Sequence, residues 1–343
     1  MPFSIINSIG TYAKNKMGGL PGLWIISGSS GNVIAYSTNG TSYTNATSPY
    51  GGVSNFAACV AYGKNASGAG LWIVVGNSTN KIATSSNGNT WTGISTNVFT
   101  STGRGVAFGK DGLGADLWVA VGQGGNSIAK STDGGNTWSG VSTNGGMITG
   151  RYVTYANGIW VAVGEGAGNT LVTSSDGTNW TGFPPANNGN INIGNSVAYG
   201  NGRWIAVGSA GTSPRISYSD DNGISWTAGT SYGGLNQDIR DVKYANGIWV
   251  AVGYGTGGGV TSGIATSTDG ITWTAVISNG FGSGGIGIGV AYGRDGLGAG
   301  LWVAAGVNGS FPLATSRNGT NWTGVNNYVI AAANQKVVFA QTN

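Results

Sequence analysis

The chain has 343 residues and a formal net charge of +4, from 15 basic and 11 acidic side chains, with only 8% of residues charged. Its basic residues are scattered singly, which excludes the clustered cationic face of a nucleic-acid binder. Histidine is absent and Cys59 is the single cysteine, so the usual neutral-pH base and the commonest metal ligand are missing and an intrachain disulfide is excluded.

The first residues, MPFSIINSIGTYAKNK, lack the basic and apolar stretches of a secretory signal, so no Sec export is expected. No apolar run reaches the roughly 18 residues of a membrane-spanning helix, and membrane insertion is not expected. The composition is otherwise of the type found in exposed extracellular proteins. Asn-x-Ser/Thr triplets such as Asn65-Ala66-Ser67 are frequent enough by chance in this chain that they imply no glycans. Residues 1–20 fall outside any repeat and receive no role. Residues 21–343 read as one domain.

From Trp24 onward a single template recurs. Seven of the thirteen tryptophans lie in a strand of the type Leu-Trp-Val-Ala-Val-Gly: Trp24, Trp72, Trp118, Trp160, Trp204, Trp249 and Trp302. The other six, Trp91, Trp138, Trp180, Trp226, Trp273 and Trp322, close a turn of the type Ser-x-Asp-Gly-x-x-Trp, and Tyr43 holds the seventh such place. Neighbouring strand tryptophans are separated by 42 residues (118 to 160) to 53 residues (249 to 302). Seven units of that period predict a closed ring of repeats, none of which can bury its apolar face alone. Glycine, at 67 residues, punctuates the apolar strands at fixed places and therefore marks turns rather than disorder.

Residues 103–141 serve as the type unit. Strand A is Arg104–Phe108, and a Gly-rich connection follows from Lys110 to Asp116. Strand B, Leu117–Val121, is a continuous apolar run of the kind covered on both faces. Strand C is Ser127–Ser131. Asp133-Gly134-Gly135-Asn136 then predicts a tight hairpin into strand D around Thr137 and Trp138. Four antiparallel strands repeated seven times predict an all-β fold, the seven-bladed β-propeller. Cys59 sits in an apolar strand and reads as a small buried hydrophobe.

Ring closure is also legible. Strand A recurs with a Val-x-aromatic pattern, and Val337-Val338-Phe339-Ala340 is one more strand A with no strand B after it. Residues 336–340 are expected to complete the first blade, that of Trp24. Thr11-Tyr12-Ala13-Lys14-Asn15 resembles strand A too, so either end could fill the slot. The C-terminal segment matches the pattern better.

Ser131 to Trp138 fits the Ser-x-Asp-x-Gly-x-Thr-Trp pattern of the Asp-box, or BNR repeat, and Ser219 to Trp226 fits with Ser for Thr. The other five copies are one residue shorter. The acid position is held by Asn39, Asn87, Asp133, Asp176, Asp221, Asp269 and Asn318. An acid or amide there accepts hydrogen bonds from turn amides, and glycine supplies the positive φ of the turn. Asparagine serves equally well as an acceptor, so these turns read as structural and no metal is assigned to them. The chain thus resembles the Asp-box β-propellers, a superfamily that includes sialidases, xyloglucan-cleaving hydrolases, sortilin-type receptors and photosystem II assembly factors. It is also similar to Trp-rich propeller repeats of phage and large-virus proteins. The resemblance implies that the boxes lie between the third and fourth strands, and that the opposite face, with the B–C and D–A loops, is used for binding.

Sialidases of this superfamily use an arginine triad, a Tyr nucleophile with a Glu partner and an Asp acid. Here Arg104, Arg151 and Arg240 each lie two residues before the Val of their strand A, which predicts a place near the central opening, where guanidinium groups clamp anions. Glu165 is the only glutamate, and Asp238 and Asp241 precede strand A of the sixth blade. Nothing in the sequence places these acids together, and no Tyr-Glu pair, Ser-His-Asp set or phosphate loop is present. No catalytic residue and no cofactor are therefore assigned. The expected function is a non-enzymatic interaction or surface-display propeller, a virion or filament component that takes a protein or glycan partner through one face. A lectin-like and a sialidase-like propeller are the alternatives. Candidate ligand residues are Arg104, Gln123, Arg151, Glu165, Arg215, Arg240 and Tyr254, because loops of variable length on a rigid ring carry recognition.

Overall fold

The computed structural model describes residues 22–28, 34–47, 57–96, 98–210, 213–255, 263–326 and 336–342. Among them, 28 strands form seven four-stranded antiparallel blades. Blade 1 combines Lys336–Gln341 with Gly22–Ser27, Ile34–Ser37 and Thr44–Asn45. Blades 2 to 7 follow in chain order, with inner strands Ala57–Lys64, Phe99–Lys110, Thr149–Ala156, Ile193–Gly200, Ile239–Ala245 and Ile286–Arg294. Each inner strand packs against that of the next blade, and Lys336–Gln341 packs against both Ala57–Lys64 and Ile286–Arg294, which closes the ring. The expectation that Thr11–Asn15 could also fill the slot falls outside the described residues. No helix among the described residues is long and apolar enough to cross a membrane.

Every blade is built on one aromatic pair. The second strand carries its tryptophan directly opposite the aromatic residue of the inner strand, as in Trp118↔Phe108 and Trp24↔Phe339. The seven pairs have ring centroids 4.8–5.1 Å apart and tilts of 52–59°, the inclined geometry that the ring quadrupoles favour. All seven tryptophans are at most 1% exposed. The inner-strand aromatic also presses on the preceding blade. A Cβ on Gly63, Gly109, Gly200 or Gly293 would lie 2.2–2.3 Å from Phe108, Tyr155, Tyr244 or Phe339 respectively. Only glycine leaves room for that approach. Because Gly293 belongs to blade 7 and Phe339 to blade 1, the same contact seals the ring.

The indole N–H groups divide by context. Those of Trp24, Trp118 and Trp160 each donate at 2.8 Å to a carbonyl of the preceding blade, on Arg294, Lys64 and Lys110. Those carbonyls lie at the ends of inner strands that turn through wide connections such as Asp111–Ala115. Trp72 follows the closing strand and Trp302 follows the narrow turn at Asn246, and both keep buried indole nitrogens without a partner.

The third and fourth strands are joined by longer turns than the Asp-Gly signal predicts. In blade 3, strand C ends at Ser131 and strand D begins at Ser139. Trp138 is therefore part of the turn rather than of strand D. Its indole donates back to the Gly135 carbonyl at 3.1 Å. The turn is organised by two side chains. The serine hydroxyl accepts from a glycine amide at 2.8–2.9 Å in all seven blades. It also donates to the acid or amide oxygen at 2.7–3.1 Å. That oxygen in turn takes backbone N–H groups, from Thr41 and Ser42 at Asn39 and from Ile271 and Thr272 at Asp269. Asn and Asp thus do the same work, as an Asx-turn requires.

Two predictions test this architecture. Removal of residues 336–343 leaves Gly22–Ser27 with a free edge, and such edges recruit other chains. Size-exclusion chromatography should show association and calorimetry a lower melting temperature; an unchanged monomer with unchanged melting would contradict the closure. The second concerns acid. The Ser225 hydroxyl and amide hold Asp221 at about 2, and the Ile271 and Thr272 amides hold Asp269 at about 2. At Asp176, burial raises the carboxyl, but the Asn179 and Thr178 amides outweigh it and hold it at about 2. Carboxyls lowered in the folded state stabilise above their unfolded value near 3.8 and lose that contribution as pH falls toward 2. A D176N/D221N/D269N variant should match the wild type at pH 7 and show a smaller drop in melting temperature between pH 5 and pH 2. An equal or larger drop would reject this account.

Candidate functional site

The inner strands of blades 2 to 7 share one irregularity. Their pairing with the second strand skips a residue between Ala57 and Cys59, Gly103 and Gly105, Gly150 and Tyr152, Gly194 and Ser196, Ile239 and Asp241, and Gly287 and Gly289. A bulge of this kind re-aims one side chain. The six skipped residues are Ala58, Arg104, Arg151, Asn195, Arg240 and Ile288, two positions before the strand valine. With Lys336 they line a depression of about 140 Å³ at the mouth of the central channel. The corresponding residue of blade 1, Gln335, lies outside the described residues. In blades 3, 4, 5 and 7 the residue before the bulge is glycine. A Cβ on Gly103, Gly150, Gly194 or Gly287 would approach the valine of the preceding blade to 2.5–2.9 Å.

The mouth carries a polar belt that crosses four blades. Arg104 Nη2 donates to Gln123 Oε1 at 2.9 Å and lies 3.7 Å from Glu165 Oε1. Arg151 pairs with Glu165 Oε2 through Nη2 and donates to Asn195 Oδ1 through Nη1 at 2.9 Å. Asn195 Nδ2 donates to Asp238 Oδ1 at 2.5 Å and to the Ile239 carbonyl at 3.0 Å. Arg240 Nε lies 2.7 Å from Asp238 Oδ2, and its guanidinium sits 5.2 Å from the centre of the Tyr254 ring. Burial pushes the Asp238 carboxyl above its usual range, despite Arg240 and Asn195.

Of the candidate ligand residues, Arg104, Gln123, Arg151, Glu165, Arg240 and Tyr254 are brought together. Arg215 is not. It lies on a third strand, paired with Gly208, and does not line the mouth. Asn195 is the residue that sequence reasoning missed, although it holds the same place before Val197 as the arginines hold before their valines. An amide in that slot carries no charge signal.

Below the belt lies a second charged tier. Asp241 is 1% exposed and accepts from Lys243 Nζ at 2.8 Å, Ser196 Oγ at 2.6 Å and the amides of Val242 and Val290 at 3.0 and 3.2 Å. Lys336 Nζ lies 3.4 Å from the same carboxylate and donates to the Arg240 carbonyl at 3.0 Å. Both ammonium groups face the Tyr152 ring, at 4.9 and 5.6 Å. Burial raises the Asp241 carboxyl, but Lys243 and Lys336 outweigh it and hold it at about 2. Burial alone would lower Lys243, and Asp241 reverses that. Burial also raises the Tyr152 phenol to about 12 and the Cys59 thiol above its usual value. Of this tier's charged groups the sequence singled out Asp241 alone; Ser196 and Lys336 reach it from other blades, a meeting that no spacing along the chain records. Among the described residues no group of three or more His, Cys, Asp or Glu is placed to hold a metal ion.

Asp241→Ala should cost about 3–5 kcal/mol, since it strands two buried ammonium groups. Denaturant unfolding measures this, and a loss below about 1 kcal/mol would show the tier to be uncoupled from folding.

No protein-family model and no curated protein matches the chain. Among solved structures it is similar to a GH74 enzyme of Niastella koreensis, with TM-score 0.50 and 18% identity over 78% of this chain and 37% of that one. The chain thus spans little more than a third of that enzyme's length. The designed protein Ika8 gives TM-score 0.53 and 11% identity over 88% and 86%. YCF48 bound to D1 peptide gives 0.48 and 18% over 74% and 77%. At 18% and 11% identity the likeness to the GH74 enzyme and to Ika8 bears on the fold alone, and it agrees with the seven blades in defining the chain as a β-propeller.

Proposed function

We propose that the chain is a non-enzymatic Asp-box propeller that engages a protein or glycan partner through the face bearing the channel mouth. One observation carries this reading: the belt assigns each carboxylate of the mouth to a cation. Glu165 is shared by Arg151 and Arg104, and Asp238 is held by Arg240 and Asn195. A glycosidase instead needs one carboxyl free to give a proton and another free to attack or activate water, on opposite sides of a sugar. A depression of about 140 Å³ is also well below the roughly 300 Å³ at which small-molecule pockets begin. The opposite face is occupied by the seven regular Ser-x-Asp/Asn turns, which leaves the variable loops around the mouth for recognition. Display on a virion or filament fits the exposed-type composition and the resemblance to viral propeller repeats.

A sialidase-like reading is favoured by one feature, the Asp238 carboxyl, raised by burial, beside Arg240 and near Arg151. A lectin-like reading, with sites repeated between blades, requires an aromatic residue at equivalent loop positions, and Tyr254 has no such counterparts in the sequence. Hydrolysis of fluorogenic sialosides and of xyloglucan oligosaccharides separates these. The expected result is no turnover, together with array binding to acidic glycans or peptides that Arg151→Ala abolishes. Turnover that falls in Asp238→Asn or Glu165→Gln would make the chain an enzyme, and binding indifferent to Arg151 would move the site elsewhere.

A further inference from the structure

Among the described residues the charges of the mouth and the tier beneath it do not balance. The cations are Arg104, Arg151, Arg240, Lys243 and Lys336; the carboxylates are Glu165, Asp238 and Asp241. Five minus three leaves two positive charges in excess. The close pairs are Arg151 with Glu165, Arg240 with Asp238 at 2.7 Å and Lys243 with Asp241 at 2.8 Å. The excess therefore rests on Arg104 and Lys336. Arg104 reaches only the far oxygen of Glu165, at 3.7 Å, and otherwise bonds a neutral amide. Lys336 reaches Asp241 at 3.4 Å, a carboxylate that Lys243 already holds. Both cations are disfavoured where they stand. Burial and then Arg151 lower Arg104, and burial lowers Lys336, with Lys243 opposing the help of Asp241.

The two cations stand on strands either side of blade 2 and line the same depression. Lys336 is on the inner strand of blade 1 and Arg104 on that of blade 3, and the strand between them is Ala57–Lys64 of blade 2. At the bulge, where blades 3, 4 and 6 carry arginine, blade 2 carries Ala58. A methyl group thus floors the space that a long side chain fills elsewhere, and all three residues line the same depression.

Taking the mouth as the binding site proposed above, we propose that this gap binds a small tetrahedral dianion, a phosphate or sulfate group, between Arg104 and Lys336 over Ala58. The charge of such a group matches the excess of two. The guanidinium presents a planar fork of donors and the ammonium a compact point charge, which together suit an oxyanion approached from two sides. The whole depression of which this gap is part, about 140 Å³, equals several water molecules at roughly 30 Å³ each, room for one such group and its nearest waters. An occupant here leaves Glu165 with its closer partner, Arg151.

Calorimetric titration of the full chain at fixed ionic strength tests this, with inorganic phosphate, inorganic sulfate, acetate and glucose 6-phosphate as probes. Phosphate and sulfate should each bind once per chain, at least tenfold more tightly than acetate. Arg104→Gln and Lys336→Gln should each weaken both by tenfold or more. Ala58→Glu should abolish binding by placing a carboxylate in the gap. That bulge accepts arginine in neighbouring blades, so the variant should fold, and its melting temperature checks this. Arg203→Gln, whose guanidinium pairs with Asp220 away from the mouth, should leave binding unchanged. Glucose 6-phosphate binding as tightly as phosphate identifies an esterified group as a permitted occupant, and weaker binding identifies the free ion; either outcome supports the seat. Absence of saturable binding at millimolar phosphate and sulfate, or binding unaffected by Ala58→Glu, overturns it. The titration uses no macromolecular partner, so its failure leaves the interaction reading to be judged by the Arg151 variant alone.

Discussion

The contact on which the ring depends is an inner-strand aromatic clasped between its own blade's tryptophan and a glycine of the blade before. It joins the two levels of the fold, because one ring both fills a blade and spaces it from its neighbour. Aromatic pairs of this geometry contribute about 0.5–1.5 kcal/mol beyond their buried area, and seven of them act in a closed circle. Where alanine stands in place of the glycine, at Ala156, Ala245 and Ala340, the wedge survives with a methyl group at the seam. Fixing the blades by large side chains near the A–B end of each inner strand leaves the opposite end free to bulge, and the polar mouth is built there.

The two faces consequently obey different rules. On one, serine, an Asx residue and glycine repeat the same hydrogen bonds in every blade, and exchanging Asp for Asn changes nothing in the geometry. On the other, six bulges at the same place present four kinds of residue: Ala58, Ile288, Asn195 and the three arginines. A pseudo-sevenfold scaffold thereby acquires a single polar sector, covering blades 3 to 6, which gives the mouth a defined orientation.

The ring was legible because its determinants are local: a Trp at a fixed place, an aromatic opposite it, and a glycine or alanine after the aromatic. Arg104, Arg151 and Arg240 were legible for the same reason, through their distance from a strand valine. The limits of strand D were not, since the tryptophan that marks the turn also caps it and so lies outside the strand. Asp241 was named from the sequence, but its meeting with Lys336 and Ser196 was illegible because it depends on which strands adjoin around the channel, which no spacing along the chain records. Arg215 shows the converse: it was expected in a loop at the mouth, but it lies on a third strand opposite Gly208.

Closure by Lys336–Gln341 also fixes an order of events. Ser27 pairs with Lys336, 309 residues later (336 minus 27). At roughly 5–20 residues per second of synthesis, the partner of Gly22–Ser27 follows it by tens of seconds. Through that interval the nascent chain is an open arc whose inner edge has no mate. Non-local pairing of this kind is intrinsically slow to form. How long the edge stays available to neighbouring chains is therefore governed by the pace of translation, and not by the stability of the finished ring.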